Sequence, residues 1–164
     1  MQRNNPHRQF TLIELLTVIV IIMILVGILI PTVQTVRQRA NETRARAMIS
    51  SMKVAISQYQ QTYASMPYGT PGSDALVADA DYTTFIDTLS GTNARGIVFL
   101  EEEQGGGYAD PWGNNLHVAL DLDYDGDVEG VIATTVNSTS AIWSNGRDRQ
   151  NNNGTGDDLT SWGD

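Results

Sequence analysis

The sequence predicts an α+β fold: a long N-terminal helix, apolar in its first half and amphipathic in its second, packed on a small antiparallel sheet with a C-terminal loop. Three observations predict it. Residues 10–30 form an unbroken run of 21 residues whose single charged member is Glu14, about the length a helix needs to cross a hydrocarbon core of roughly 30 Å. Residues 32–63 then carry apolar and small side chains at three- and four-residue spacings. Beyond Pro67 the chain breaks into short apolar runs separated by Gly, Pro, Asn and Asp.

The first element is preceded by a polar stretch over 1–9 containing Arg3 and Arg8. The apolar run is longer than a secretory signal core, and no small-residue cleavage pattern follows Ile30. Pro31 follows instead, where a missing backbone donor predicts a kink or local melting. The helix resumes with a stripe of Val36, Ala40, Ala47, Met48, Met52, Ala55, Ile56, Tyr59 and Tyr63, with Arg37, Arg39, Arg44, Arg46 and Lys53 mostly on other faces. The segments are therefore 1–9, a membrane helix over 10–31, an amphipathic helix over 32–65, and a globular head over 66–164.

In the head, two prolines and two glycines between Met66 and Gly72 end the helix. Residues 82–89 read as a short helix. Residues 97–100 form an apolar run that Glu101, Glu102 and Glu103 end in solvent. Alternation at 116–120, 128–136 and 141–144 predicts three antiparallel strands able to lay one apolar face on the helix stripe.

Charge is distributed unevenly. Residues 1–60 carry seven basic and two acidic side chains, and residues 61–164 carry three basic and seventeen acidic. An acidic head repels a phosphate backbone, so nucleic acid is not an expected partner. With no cysteine in the chain, disulfides, thiolate nucleophiles and Cys-ligated metals are excluded. No catalytic constellation is evident: His7 and His117 stand apart, and no nucleophile elbow surrounds Ser144.

Glu14 asks for a function, because an ionisable side chain within a membrane helix costs on the order of 3 kcal/mol unless partnered. A cut between Gln9 and Phe10 would create an amino group at Phe10 suited to a Glu14 carboxylate on a neighbouring copy. That pairing would set the register of packed helices.

The segment from Arg8 through Gln9, Phe10, Thr11, Leu12, Ile13 and Glu14 to Leu16 resembles the prepilin peptidase site of type IV pilins and type II secretion pseudopilins. The resemblance implies cleavage before Phe10, N-methylation of Phe10 and an assembly role for Glu14, with 1–9 as the leader. It departs at Gln9, where the family has Gly. The DPWGN string at 110–114 and the tail from Ser144 to Trp162 are similar to the major pseudopilin group within that family. The implied function is a structural subunit, not an enzyme, that assembles into a periplasmic pseudopilus for protein export. The implied location is the inner membrane, crossed once, with the head outside the cytoplasm. The implied partners are copies of itself, other pseudopilins, the prepilin peptidase, an inner-membrane assembly platform and membrane lipid. An uncut chain would instead be a membrane-tethered calcium-dependent binding or adhesion module, and a type IV pilus pilin is a further alternative.

By the same resemblance Asp148, Asp157 and Asp158 in the tail are calcium ligands, in a loop with almost no apolar side chain to hold it. A second acidic segment, Asp121, Asp123 and Asp125, matches the opening of an EF-hand loop. Its twelfth position is Ile132 where a bidentate Glu belongs, and an Asp-Gly hairpin turn reads the same residues equally well.

Overall fold

The structure is a computed structural model that describes residues 11–101 and 107–163. The leader, Gln9 and Phe10 lie outside the described residues. Helix α1 runs from Leu12 to Tyr63 and continues without interruption across position 31, so the melting expected there does not occur. A proline removes one donor from the ladder, and the bonds on either side suffice to carry the helix through. The helix ends where Ala64 turns left-handed (φ 52°) and its amide bonds Gln60 O at 2.8 Å, closing an αL-type cap.

The chain divides into two units after Arg39. In the first, the described side chains of α1 are exposed, from Leu12 onward. The second unit begins at Ala40 and holds the core, which forms two clusters. From α1 it buries Ala45, Met48, Ile49, Met52, Ala55 and Ile56. The expected stripe is thus rotated: Ala40 and Ala47 are exposed, and Ala45 and Ile49 take the inner positions. Alanine tolerates either face, so the large side chains decide which way the helix turns.

Helix α2, Tyr82–Leu89, lies where its sequence predicts and buries Tyr82, Phe85, Ile86 and Leu89. Two tyrosines join the surrounding loops to the helices. Tyr82 donates its hydroxyl to Tyr108 O at 2.6 Å, and Tyr108 donates its own to Met48 O at 3.0 Å.

The sheet has four antiparallel strands in sequential order: β1 Ala75–Leu76, β2 His117–Leu120, β3 Ser140–Ser144 and β4 Leu159–Thr160. Alternation along β2 and β3 separates two apolar faces. Val118, Leu120 and Ile142 join the cluster containing α1 and α2, while Ala119, Ala141 and Trp143 join Val128 and Val136 behind the sheet. The strand expected over 128–136 is instead a single antiparallel bridge between Val128 and Val136. Gly130, at φ 73°, turns the chain back so that these two valines pair with each other and not with the sheet. The apolar run at 97–100 is held at the end of α2, where the amides of Phe99 and Leu100 both bond Leu89 O.

The buried stripe carries the energy of this packing. Ile56→Ala should cost about 2–5 kcal/mol by denaturant unfolding of the full chain in micelles. Val54→Ala, on the exposed side of the same helix, should stay within about 0.5 kcal/mol.

Candidate functional site

The anchor segment is a helix whose first turn is capped from within. Thr11 donates its amide to Glu14 Oε2 at 2.9 Å and its hydroxyl to the same oxygen at 2.7 Å, and the Glu14 amide returns to Thr11 Oγ1 at 3.4 Å. This is a capping box, in which two backbone donors are satisfied reciprocally. The Thr-x-x-Glu spacing was readable in the sequence beside the other reading of Glu14. Among the described residues α1 is the one helix long and apolar enough to cross a membrane. The partner expected for Glu14, the amino group of Phe10, lies outside the described residues.

The tail loop, residues 145–158, joins β3 to β4 and turns on its own aspartates. Asp157 Oδ2 accepts the amides of Arg147 and Asp148, both at 3.0 Å. Asp158 Oδ2 accepts those of Asn152 at 3.0 Å and Gly154 at 2.8 Å. Asp148 Oδ1 accepts the Gln150 amide at 2.8 Å. Trp143 reaches in from β3, its indole donating to Asn151 Oδ1 at 2.9 Å. His117 stacks on Trp143 with ring centroids 5.1 Å apart, its Nε2 lying 2.8 Å from Asn145 Oδ1, so it is a half-buried strand residue that braces the loop.

The electrostatics of the loop are split. The Asp148 amide, with that of Arg147 behind it, holds the Asp157 carboxyl below its ordinary range. Burial pushes Asp158 up, and the charges of Asp157 and Asp148 add to the rise against the Gly154 and Asn152 amides. One oxygen of Asp158, Oδ1, is buried without a hydrogen-bond partner. An orphaned acceptor of this kind favours a donor or a cation beside it, but among the described residues Asp148, Asp157 and Asp158 are not brought together as a metal-holding group.

The acidic turn at 121–127 is built differently. Asp121 is almost wholly buried and accepts the Tyr124 amide at 2.6 Å and the Gly126 amide at 3.0 Å. Asp123 Oδ1 takes the Asp125 amide at 3.3 Å, and Asp125 Oδ1 takes the Asp127 amide at 3.2 Å. The third carboxylate drawn to Asp121 and Asp123 is Asp74 and not Asp125: one oxygen from each of the three lies within 4.8 Å of the others. Asp74 accepts the Leu122 amide at 3.0 Å and the Glu129 amide at 2.7 Å. Pairing of β1 with β2 brings it there across a long sequence separation, and no local spacing announces it. Burial raises the pKa of Asp121, with Asp74 and Asp123 adding to it.

No protein-family model matches the chain, and no solved structure matches it. Three curated relatives do. The chain is 26% identical over 163 residues to the type II secretion system core protein G of Escherichia coli K12, covering 99% of this chain and 96% of that one. It is 27% identical over 140 residues to fimbrial protein Q of Moraxella bovis, covering 85% of each. It is 28% identical over 103 residues to the type IV major pilin protein PilE1 of Neisseria gonorrhoeae, covering 63% of this chain and 47% of that one. At 26–28% identity, the chain is thus similar to a type II secretion core protein, a fimbrial protein and a type IV pilin. None of the three relatives is named as an enzyme. By length and composition, helix α1 fits single-pass anchoring in a membrane.

The split electrostatics give a sign that can be checked. A carboxyl with a raised folded pKa opposes folding when ionised, and this penalty is absent below its unfolded value near 3.8. Asp158→Asn, which keeps an acceptor for the two amides, should therefore raise the thermal midpoint in EDTA at pH 7. The gain should vanish as the pH falls towards 4, as followed by circular dichroism.

Proposed function

We propose that this chain is a pseudopilin of a type II secretion system, stored in the inner membrane and assembled into a periplasmic filament that drives protein export. The observation that carries the reading is the end-to-end match with core protein G, which leaves almost none of either chain unpaired. The match to the type IV major pilin spans less than half of that protein. In this reading the peptidase removes 1–9, Phe10 becomes the methylated first residue, and the head lies outside the cytoplasm. Glu14 neutralises the new amino group of a neighbouring copy as helices pack, and an inner-membrane platform drives assembly with other pseudopilins. Lipid covers the apolar helix before assembly.

Calcium belongs to the same proposal. Asp148, Asp157 and Asp158 would hold it in the tail loop, where the partnerless Oδ1 of Asp158 supports the fit. Bound calcium takes six to eight oxygens and offsets the repulsion among these carboxylates. The second place is the acidic turn, where Asp121 and Asp123 are grouped with Asp74 and Asp125 is held within its own turn.

The N-terminus and intact mass of the chain from native membranes test the export reading. A chain beginning at methylated Phe10 is the expected result. Retention of residues 1–9 where other prepilins are cut favours the membrane-tethered calcium-dependent module instead. Glu14→Leu should leave membrane insertion intact and reduce incorporation into sheared filaments at least about tenfold, in line with loss of a desolvated charge pair.

A further inference from the structure

Two Asn-Gly steps, Asn145-Gly146 and Asn153-Gly154, lie in the loop that joins β3 to β4. Such a step is chemically labile because the glycine nitrogen can close a succinimide ring on the side-chain carbonyl carbon of the asparagine before it. Glycine has no Cβ to obstruct that approach. The same dipeptide therefore occurs twice in one loop, in two different surroundings.

At the first step both residues are packed. Asn145 is 9% exposed, and its Oδ1 lies 2.8 Å from Nε2 of His117, which in turn stacks on Trp143. Gly146 is buried, and a Cβ there would collide with the Asp157 carbonyl. Ring closure requires the asparagine side chain to swing over its own backbone, and close packing permits that only through local opening.

At the second step the asparagine is free. Asn153 is exposed and left-handed, at φ 54°, with its backbone amide donated to Asn151 Oδ1 at 2.9 Å. Among the described residues its side chain makes no hydrogen bond. Gly154 packs against the Trp162 ring, so the attacking nitrogen is held while the group it attacks can turn. Hydrogen bonding of the two glycine nitrogens does not separate the steps, since Gly146 donates to Ser144 Oγ at 3.2 Å and Gly154 to Asp158 Oδ2 at 2.8 Å. The freedom of the asparagine side chain does.

We propose that Asn153 is a self-modification site of the head, and that the fold guards Asn145 in the same loop from the same reaction. The Gly154 nitrogen gives its proton to water and bonds to Asn153 Cγ, the Cγ–Nδ2 bond breaks, and Nδ2 takes up a proton and leaves as ammonia. Water then opens the succinimide at either carbonyl, giving aspartate or its β-linked isomer. The sum is water taken up and ammonia released, with no oxidant or reductant. Either product adds a carboxylate to a loop that already carries Asp148, Asp157 and Asp158, and the β-linked product routes the backbone through Cβ.

The test is peptide mass spectrometry of the full chain after incubation at neutral pH in detergent micelles, in water enriched in heavy oxygen. A parallel sample is held unfolded in guanidinium chloride. In the folded chain Asn153 should become acid, with heavy oxygen incorporated, at least about tenfold faster than Asn145. In the unfolded chain the two steps should convert within about threefold of each other, because no packing then separates them. Equal rates in the folded chain, or conversion led by Asn145, overturn the proposal. So does a folded chain that keeps both asparagines over the time in which the unfolded chain loses them. A gap of the same size in the unfolded chain overturns it as well, since the neighbouring sequence and not the fold would then set the difference.

Discussion

Backbone amides in the head have to be satisfied with very little ladder, and aspartate carboxylates supply what the sheet does not. Two of the four strands are two residues long, and the chain between them is mostly turn. A buried amide without an acceptor is costly. Asp74, Asp110, Asp121, Asp157 and Asp158 each accept two backbone amides, in three separate parts of the head. Removing any one of them would release two donors together, which makes these carboxylates structural in the same sense as the buried face of α1.

That solution accumulates charge. Each carboxylate gains from its amides and loses from its neighbours, and the balance differs by site. Asp157, exposed and doubly bonded, is held low. Asp121 and Asp158 are pushed up by burial and by the carboxylates packed beside them. The acidity of the head is therefore more than a solvated coat; part of it is the means by which the loops are folded. A cation would act on the repulsive half of this balance without replacing any of the amide bonds.

The parts legible in the sequence are those with a repeat long enough to be read. Helix α2 and the central strands β2 and β3 combine turn residues with a clear period, and their positions follow within a residue. Strands β1 and β4 have no period to show, since two residues cannot alternate. Val128 and Val136 look like strand residues because they are buried and β-branched, and pairing across a glycine turn meets both conditions equally. Along α1 the alanines misled because they fit either face, while Met48, Met52 and Ile56 did not. In the acidic turn the Asp-x-Asp-x-Asp spacing singled out Asp121, Asp123 and Asp125, of which the first two lie together with Asp74. Asp74 arrives through strand pairing alone, a contact that exists only once the fold does.

Glu14 shows how one residue can answer two demands on α1. A bare carboxylate in an apolar helix is expensive, and the expense is least where the charge is met by hydrogen bonds at a helix start. Thr11 supplies both its amide and its hydroxyl to Oε2, so the carboxylate is engaged locally in the single chain. The position that closes the capping box also lies within the first turn of the apolar helix, where the helix dipole favours negative charge. A leucine at position 14 would suit lipid better but leave the Thr11 amide and hydroxyl without this acceptor. The capping geometry thus gives the glutamate a reason to be tolerated before any partner is considered, and it lowers the cost of keeping a charge in an apolar helix.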